Sequence, residues 1–110
     1  MTLRLTINGT SWITFRDTLH ELTPFKTYGN LEGRSGSVYH TAYLPEPYAN
    51  HYRERRAFID YTVMSYATPI AWHDTERGWF MPPFRYSVTT SKAQGRIAPG
   101  IQQLNEWASA

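Results

Sequence analysis

Hydrophobic and polar residues alternate most clearly at the start of the chain and again just past its midpoint. Leu3, Leu5 and Ile7 alternate with Thr2, Arg4 and Thr6, which is the period of a half-buried strand. Asn8-Gly9 then predicts a tight hairpin, because both central positions of such a turn favour positive φ, so Ser11 to Phe15 is expected to return as a second strand. Asp17 to Leu22 predicts a short helix with Leu19 and Leu22 one turn apart, ended by Pro24. From Phe25 to Gly36 the text FKTYGNLEGRSG is punctuated by Gly and Asn and reads as a loop, with Phe25, Tyr28 and Leu31 tucked under the sheet. Val38 to Leu44 is expected to add a short edge strand.

Pro45-Glu46-Pro47 changes the pattern. Proline suits the first turn of a helix, where its missing N–H is not needed, and Tyr48 and Tyr52 then share one face. This predicts a short helix near residues 47–55, with Glu46 at its positive end and Arg53, Arg55 and Arg56 at its negative end, as the macrodipole prefers.

The most ordered text runs from Tyr61 to Gln94. Ile59, Tyr61 and Val63 alternate into Ser65-Tyr66-Ala67-Thr68-Pro69 and Ile70-Ala71-Trp72, and a polar turn follows from Asp74 to Gly78. The chain returns through Trp79-Phe80, a Pro82-Pro83 break and a second alternation at Tyr86, Val88 and Thr90. Runs of β-branched and aromatic residues bounded by Gly, Pro and Asp predict an antiparallel meander. Trp72 and Trp79, flanking the turn, are expected to pair across its two strands. Ser91 and Gln94 have the spacing of a capping box, and Gly95 and Pro99 then interrupt the chain. Pro99 is expected to start a final helix whose Ile101, Leu104, Trp107 and Ala108 form an apolar stripe. The fold class expected is α+β: a mostly antiparallel sheet with a C-terminal helix on one face and a short helix near residues 47–55.

At 110 residues the chain has room for one core, so residues 1–110 are read as a single domain. Hydrophobic residues make up 41% and aromatic residues 15%, which argues against disorder. The absence of Cys excludes disulfides, thiolate metal sites and cysteine nucleophiles. A net charge of +2 permits anionic partners without demanding them. With no long apolar run, neither a signal peptide nor a membrane span is expected, and a cytoplasmic protein is the default.

The pieces YTVMSYATPIAW, Trp79 and YSVTTSKAQ resemble a small domain of unknown function from actinobacterial phages, haloarchaeal viruses and related mobile elements. Its pattern runs Tyr-x-Val-x-Ser-Tyr-x-Thr-Pro-Ile-Ala, a turn with Trp, then Tyr-Ser-x-Thr-Thr-Ser-Lys-His-Gln. FKTYGNLEG shares in the resemblance weakly. The resemblance implies a phage or mobile-element protein but no activity. Ala93 stands where the pattern carries His. Were that His catalytic in relatives, this chain would lack it; were it only packing or capping, Ala is a mild change.

Two candidate sites follow. Thr89, Thr90, Ser91 and Lys92 surround an expected helix start, where free N–H groups favour an anion; capping alone is the simpler reading. Arg53, Arg55 and Arg56 beside Tyr48 and Tyr52 have the composition to track a nucleic-acid backbone, against the simpler reading of solvated arginines. Trp72, Trp79 and Tyr66 are candidate partner contacts, since Trp, Tyr and Arg are enriched at interface hot spots. For the two tryptophans a plain core role competes. His20, His40, His51 and His73 form no metal pattern, and no cofactor motif is present. His73 and Asp74 beside Glu76 have the types for acid and base work, but polar residues at a hairpin tip need no further cause. The expectation is a non-enzymatic accessory protein that binds a host or phage protein. Nucleic-acid binding is the alternative, and an enzyme of unknown type the remote one.

Overall fold

Six strands are laid side by side in the order in which the chain makes them. The structure is a computed structural model and describes residues 3–6, 9–27, 30–42, 44–83 and 88–109; the side chains of Trp12, residues 88–93 and Ser109 lie outside that description. Thr2, Ile7, Asn8, Tyr28 and Tyr86, used in the reading above, are among the residues not described. The elements are β1 (Leu3–Leu5), α1 (Trp12–His20), β2 (Phe25–Thr27), β3 (Leu31–Ser35), α2 (Glu46–Glu54), β4 (Ile59–Ser65), β5 (Thr68–Asp74), β6 (Gly78–Phe80) and α3 (Val88–Ser109). The class is α+β, and every strand pairing is antiparallel except that of β1 with β2.

That exception corrects the first expectation. A parallel pair needs a crossover rather than a tight turn, and α1 supplies it. Ser11 to Phe15 is therefore no strand: Ser11 caps the helix, its Oγ accepting from the Thr14 N–H at 3.2 Å. Phe15 and Leu19, four apart and fully buried, are the helical period that outweighs the hairpin signal. Leu22 follows the helix at φ 52°, so the chain turns in a left-handed residue before Pro24. The stretch from Phe25 to Gly36 also departs from expectation, because it contains β2 and β3. Phe25 and Leu31 are buried as strand residues. Val38 to Leu44 forms no strand among its described residues.

β4 and β5 form the expected hairpin, closed by the two residues Tyr66-Ala67 between the Ser65 and Thr68 pair. Nearly every residue in both strands is buried, on both faces. One face carries Tyr61, Val63, Ala71 and Trp79 against Phe15 and Leu19 of α1 and Ile97, Ile101 and Leu104 of α3. The other carries Ile59 and Trp72 against Ala49 and Tyr52 of α2, with Leu44 alongside. Ile59 and Tyr61, two apart, reach different faces because the register shifts between them.

The two tryptophans do not pair. Trp72 stands opposite Phe80 and Trp79 opposite His73, an offset of one residue that sends the rings to opposite faces. The meander also ends sooner than expected, since Val88 and Thr90 belong to α3. α3 is one helix running through Gly95 and Pro99, not a new helix begun at Pro99. Its buried stripe is Gln94, Ile97, Ile101 and Leu104, whereas Trp107 and Ala108 are exposed. Gly100 lets α3 approach closely: a Cβ there would lie 3.0 Å from Arg16 Cα. α2 matches its expectation to within a residue, with Glu46 in its first turn and Tyr52 buried.

Gly33 in β3 explains why that strand has no side chain at its centre. A Cβ there would overlap Tyr61 Oη and the Phe25 ring, and Tyr61 uses that space to donate to the Thr23 carbonyl at 2.6 Å. Gly33→Ala is expected to lower stability by about 1 to 3 kcal/mol through overpacking. An unchanged urea midpoint would show that the space is not needed.

Candidate functional site

The turn between β5 and β6 is built by one buried carboxylate. Asp74 Oδ1 accepts from the backbone N–H of Glu76 at 2.8 Å and of Arg77 at 3.1 Å, and Gly78 closes the turn at φ 81°. The guanidinium of Arg55, just past α2, donates to both Asp74 oxygens at 2.7 and 2.9 Å and to Glu76 at 2.8 Å. Arg55 and those N–H groups hold the Asp74 carboxyl well below the usual carboxylate range, against the opposing pull of burial. The same pairing raises the Arg55 value.

This accounts for much of the arginine cluster. Arg55 clamps the turn, Arg53 pairs with Glu46 at 3.0 Å, and Arg56 donates to the Tyr39 carbonyl at 2.8 Å. Arg55 is largely covered and held by two carboxylates, whereas Arg53 is exposed and its ion pair with Glu46 lies in solvent, as the simpler reading of solvated arginines expects. Thr89, Thr90, Ser91 and Lys92 lie in the first turns of α3, and their side chains are outside the described residues. Ser91 lies inside the described span of α3, Val88–Ser109, and is not its N-cap. Trp72 and Trp79 are core residues at 0% and 8% exposure, which leaves Tyr66, at 59%, as the accessible ring of the three. Tyr66 has φ 56° while Ala67 does not, the φ pattern of a II′ hairpin whose first central position usually holds Gly.

Past the rim of the turn, the end of α1, the β5–β6 edge and the end of α3 enclose a groove of about 340 Å³. Leu22, Leu104 and Ala108 give it apolar walls, with Trp79 and Trp107 contributing rings. Trp79 is nearly buried, and Trp107 is 47% exposed. The Trp107 ring is braced edge-on by His20 at 5.8 Å and by the Arg16 guanidinium at 5.0 Å. Asn105 closes the free edge of β6: its Oδ1 accepts from Trp79 N–H at 3.0 Å and its Nδ2 donates to Trp79 C=O at 2.9 Å. A side-chain amide thereby stands in for a seventh strand and blunts an edge open to mispairing.

His73 supplies the polar side of the groove. Its Nδ1 lies 2.6 Å from Asp60 Oδ1 on β4, and its ring packs edge-on against Trp79 at 5.4 Å. The sequence reading grouped His73 with Asp74 and Glu76. The structure separates them, because neighbouring residues on β5 point to opposite faces and Asp74 is held by Arg55. Asp60, Asn105 and Trp107 were missed as site residues, and no local motif marks them. Among the described residues that line the groove no side chain is a hydroxyl, carboxylate or amine. Among the described residues no three His, Asp or Glu are placed to hold a metal, and no helix is long and apolar enough to cross a membrane.

Fold and groove together define a small α+β domain with an aromatic cleft at one rim of its sheet. Residues 5–99 match a family of unknown function, DUF8033, and the chain belongs to that family. The match stops short of Leu104, Asn105 and Trp107, so one wall of the groove lies beyond the matched span. No curated protein and no solved structure matches the chain.

Two outcomes test these assignments. Asp74→Asn should lower stability by about 3 kcal/mol, because it leaves Arg55 part-buried without its main counter-charge. The folded carboxyl is depressed, so its contribution is complete above about pH 4 and is lost as pH falls below that value. Between pH 6 and pH 3 the urea midpoint of the native chain should therefore fall further than that of Asp74→Asn, and parallel falls would contradict the assignment. Separately, Tyr66→Gly should raise stability by roughly 1 kcal/mol, and the urea midpoint with it, since a residue without Cβ adopts positive φ without strain. A lower midpoint would show the ring to be a stabilising contact.

Proposed function

We propose that this chain is a non-enzymatic binding protein of the phage or mobile-element kind its motif resembles, acting in the host cytoplasm on another protein. The observation that carries this reading is Trp107, half exposed and braced by His20 and Arg16 at the mouth of an apolar-walled groove. A large ring held rigid beside a concave surface is the usual form of an interface anchor, because little side-chain entropy is lost when a partner covers it. The engagement of Arg55 by carboxylates weighs against nucleic acid, since a phosphate-tracking arginine needs its charge unspent.

The test is affinity capture from host lysate with and without nuclease, using the native chain and Trp107→Ala, alongside titration onto DNA and RNA at two salt concentrations. A nuclease-resistant protein partner that is lost with Trp107→Ala, the variant's circular dichroism being unchanged, is the expected result. Nucleic-acid binding that weakens steeply with salt, with no such partner, would overturn the reading.

A further inference from the structure

Arg16, Arg53 and Arg55 each have a carboxylate at 3.0 Å or less, so their charge is matched locally. The end of the sheet away from β6 is different. Arg4 stands opposite Lys26, and Lys26 opposite Glu32, across β1, β2 and β3, so their side chains share one face, and Arg34 joins them two residues along β3. Three cations against one carboxylate leave that face at +2, which equals the net charge of the whole chain. Lys26 and Arg34 are exposed, and neither forms an ion pair among the described residues. Tyr66 adjoins them. With Asn30, Lys26 and Glu32 it lines a depression of about 260 Å³, and Lys26 and Glu32 also line the neighbouring one, of about 400 Å³, with Arg34 and Ser35. Tyr66 holds φ 56°, where glycine is the unstrained residue, and its ring is too exposed for burial to offset that strain. Backbone strain of this kind gathers at functional positions.

We infer that this face is a docking surface for an extended acidic segment of a protein, with carboxylates at positions i and i+2 meeting Lys26 and Arg34 and an apolar side chain lying on Tyr66. The spacing fits. Lys26 and Arg34 are diagonal neighbours on antiparallel strands, about 7 to 8 Å apart, and alternate residues of an extended chain are about 6.6 Å apart. Glu32 selects against a polyanion, because it would repel a backbone that carries a charge on every nucleotide, whereas a peptide can set its acids to either side and turn the residue between them away. Single-strand nucleic-acid grooves also stack successive bases on several rings, and Tyr66 is the one exposed ring among the described residues lining these depressions. The surface is separate from the Trp107 groove, which lies at the β6 end of the sheet.

The probes are the capped peptides acetyl-Phe-Ser-Asp-Ser-Asp-amide and acetyl-Phe-Ser-Asn-Ser-Asn-amide and a single-stranded oligonucleotide, each titrated onto the full chain at low and at physiological salt and followed by NMR. The acidic peptide should shift the Tyr66 ring signals and the Lys26 and Arg34 amide signals, and at low salt bind about tenfold more tightly than its amide counterpart, the worth of two exposed ion pairs. Salt should narrow that gap. Lys26→Gln combined with Arg34→Gln should erase it, the circular dichroism being unchanged, and Tyr66→Gly should weaken the acidic peptide several-fold. Equal affinity of the two peptides, shifts confined to other residues, or no shift at all would overturn the assignment. An oligonucleotide that moves the same signals at lower concentration than the peptide would overturn it in favour of nucleic acid. None of these outcomes involves Trp107, so the capture result for Trp107→Ala stands or falls by itself.

Discussion

The structure depends on the burial of the β4–β5 hairpin from both sides. A hairpin alone in water is marginal, and an antiparallel sheet commonly leaves one face wet. Here Tyr61, Val63 and Ala71 need one cover while Ile59 and Trp72 need another. The chain before and after the hairpin is spent on meeting that demand. α1 and α3 pack on each other and on the first face, while α2 lays Ala49 and Tyr52 on the second. Tyr52 adds a buried polar tie, its hydroxyl bonded to Thr62 Oγ1 and to the Val38 N–H, each at 2.8 Å. Burial raises the pKa of that phenol, which keeps it a neutral donor and acceptor.

The groove follows from how the first cover ends. β6 has three residues, too few to support the whole of α3, and the helix runs past it with Trp107 and Ala108 beyond the sheet. Asn105 fastens the helix to the edge strand through both backbone groups of Trp79. The Arg55–Asp74 clamp sets the turn that aligns β6, and through it the position of Trp79. The charge of Arg55 is thereby used to hold the turn.

Sequence pattern made the hairpin, α2 and the Asp74 turn legible, because each is written in neighbours: alternation, proline at a helix start, Asp followed by Gly. It misled where a local signal lost to a distant one. Asn8-Gly9 suggests a hairpin, but β1 finds its partner across α1, and the Phe15 and Leu19 spacing was the overlooked clue. Gly95 and Pro99 read as breaks, yet packing of Ile97 and Ile101 carries one helix through both, against an intrinsic penalty of about 1 and 3 kcal/mol respectively. The groove was not legible at all. His20, Asp60, His73, Asn105 and Trp107 come from four elements, and no spacing in the chain records their meeting.

Native-state hydrogen exchange tests the central dependence most directly. If burial on both faces makes the β4–β5 hairpin the last part to open, the hydrogen-bonded amides within Tyr61–Val63 and Ile70–Trp72 exchange only through global unfolding. Their exchange free energy then equals that from urea denaturation, while β1, β6 and the end of α3 open earlier. Hairpin amides that exchange through local openings while α1 or α3 remains protected would contradict the account.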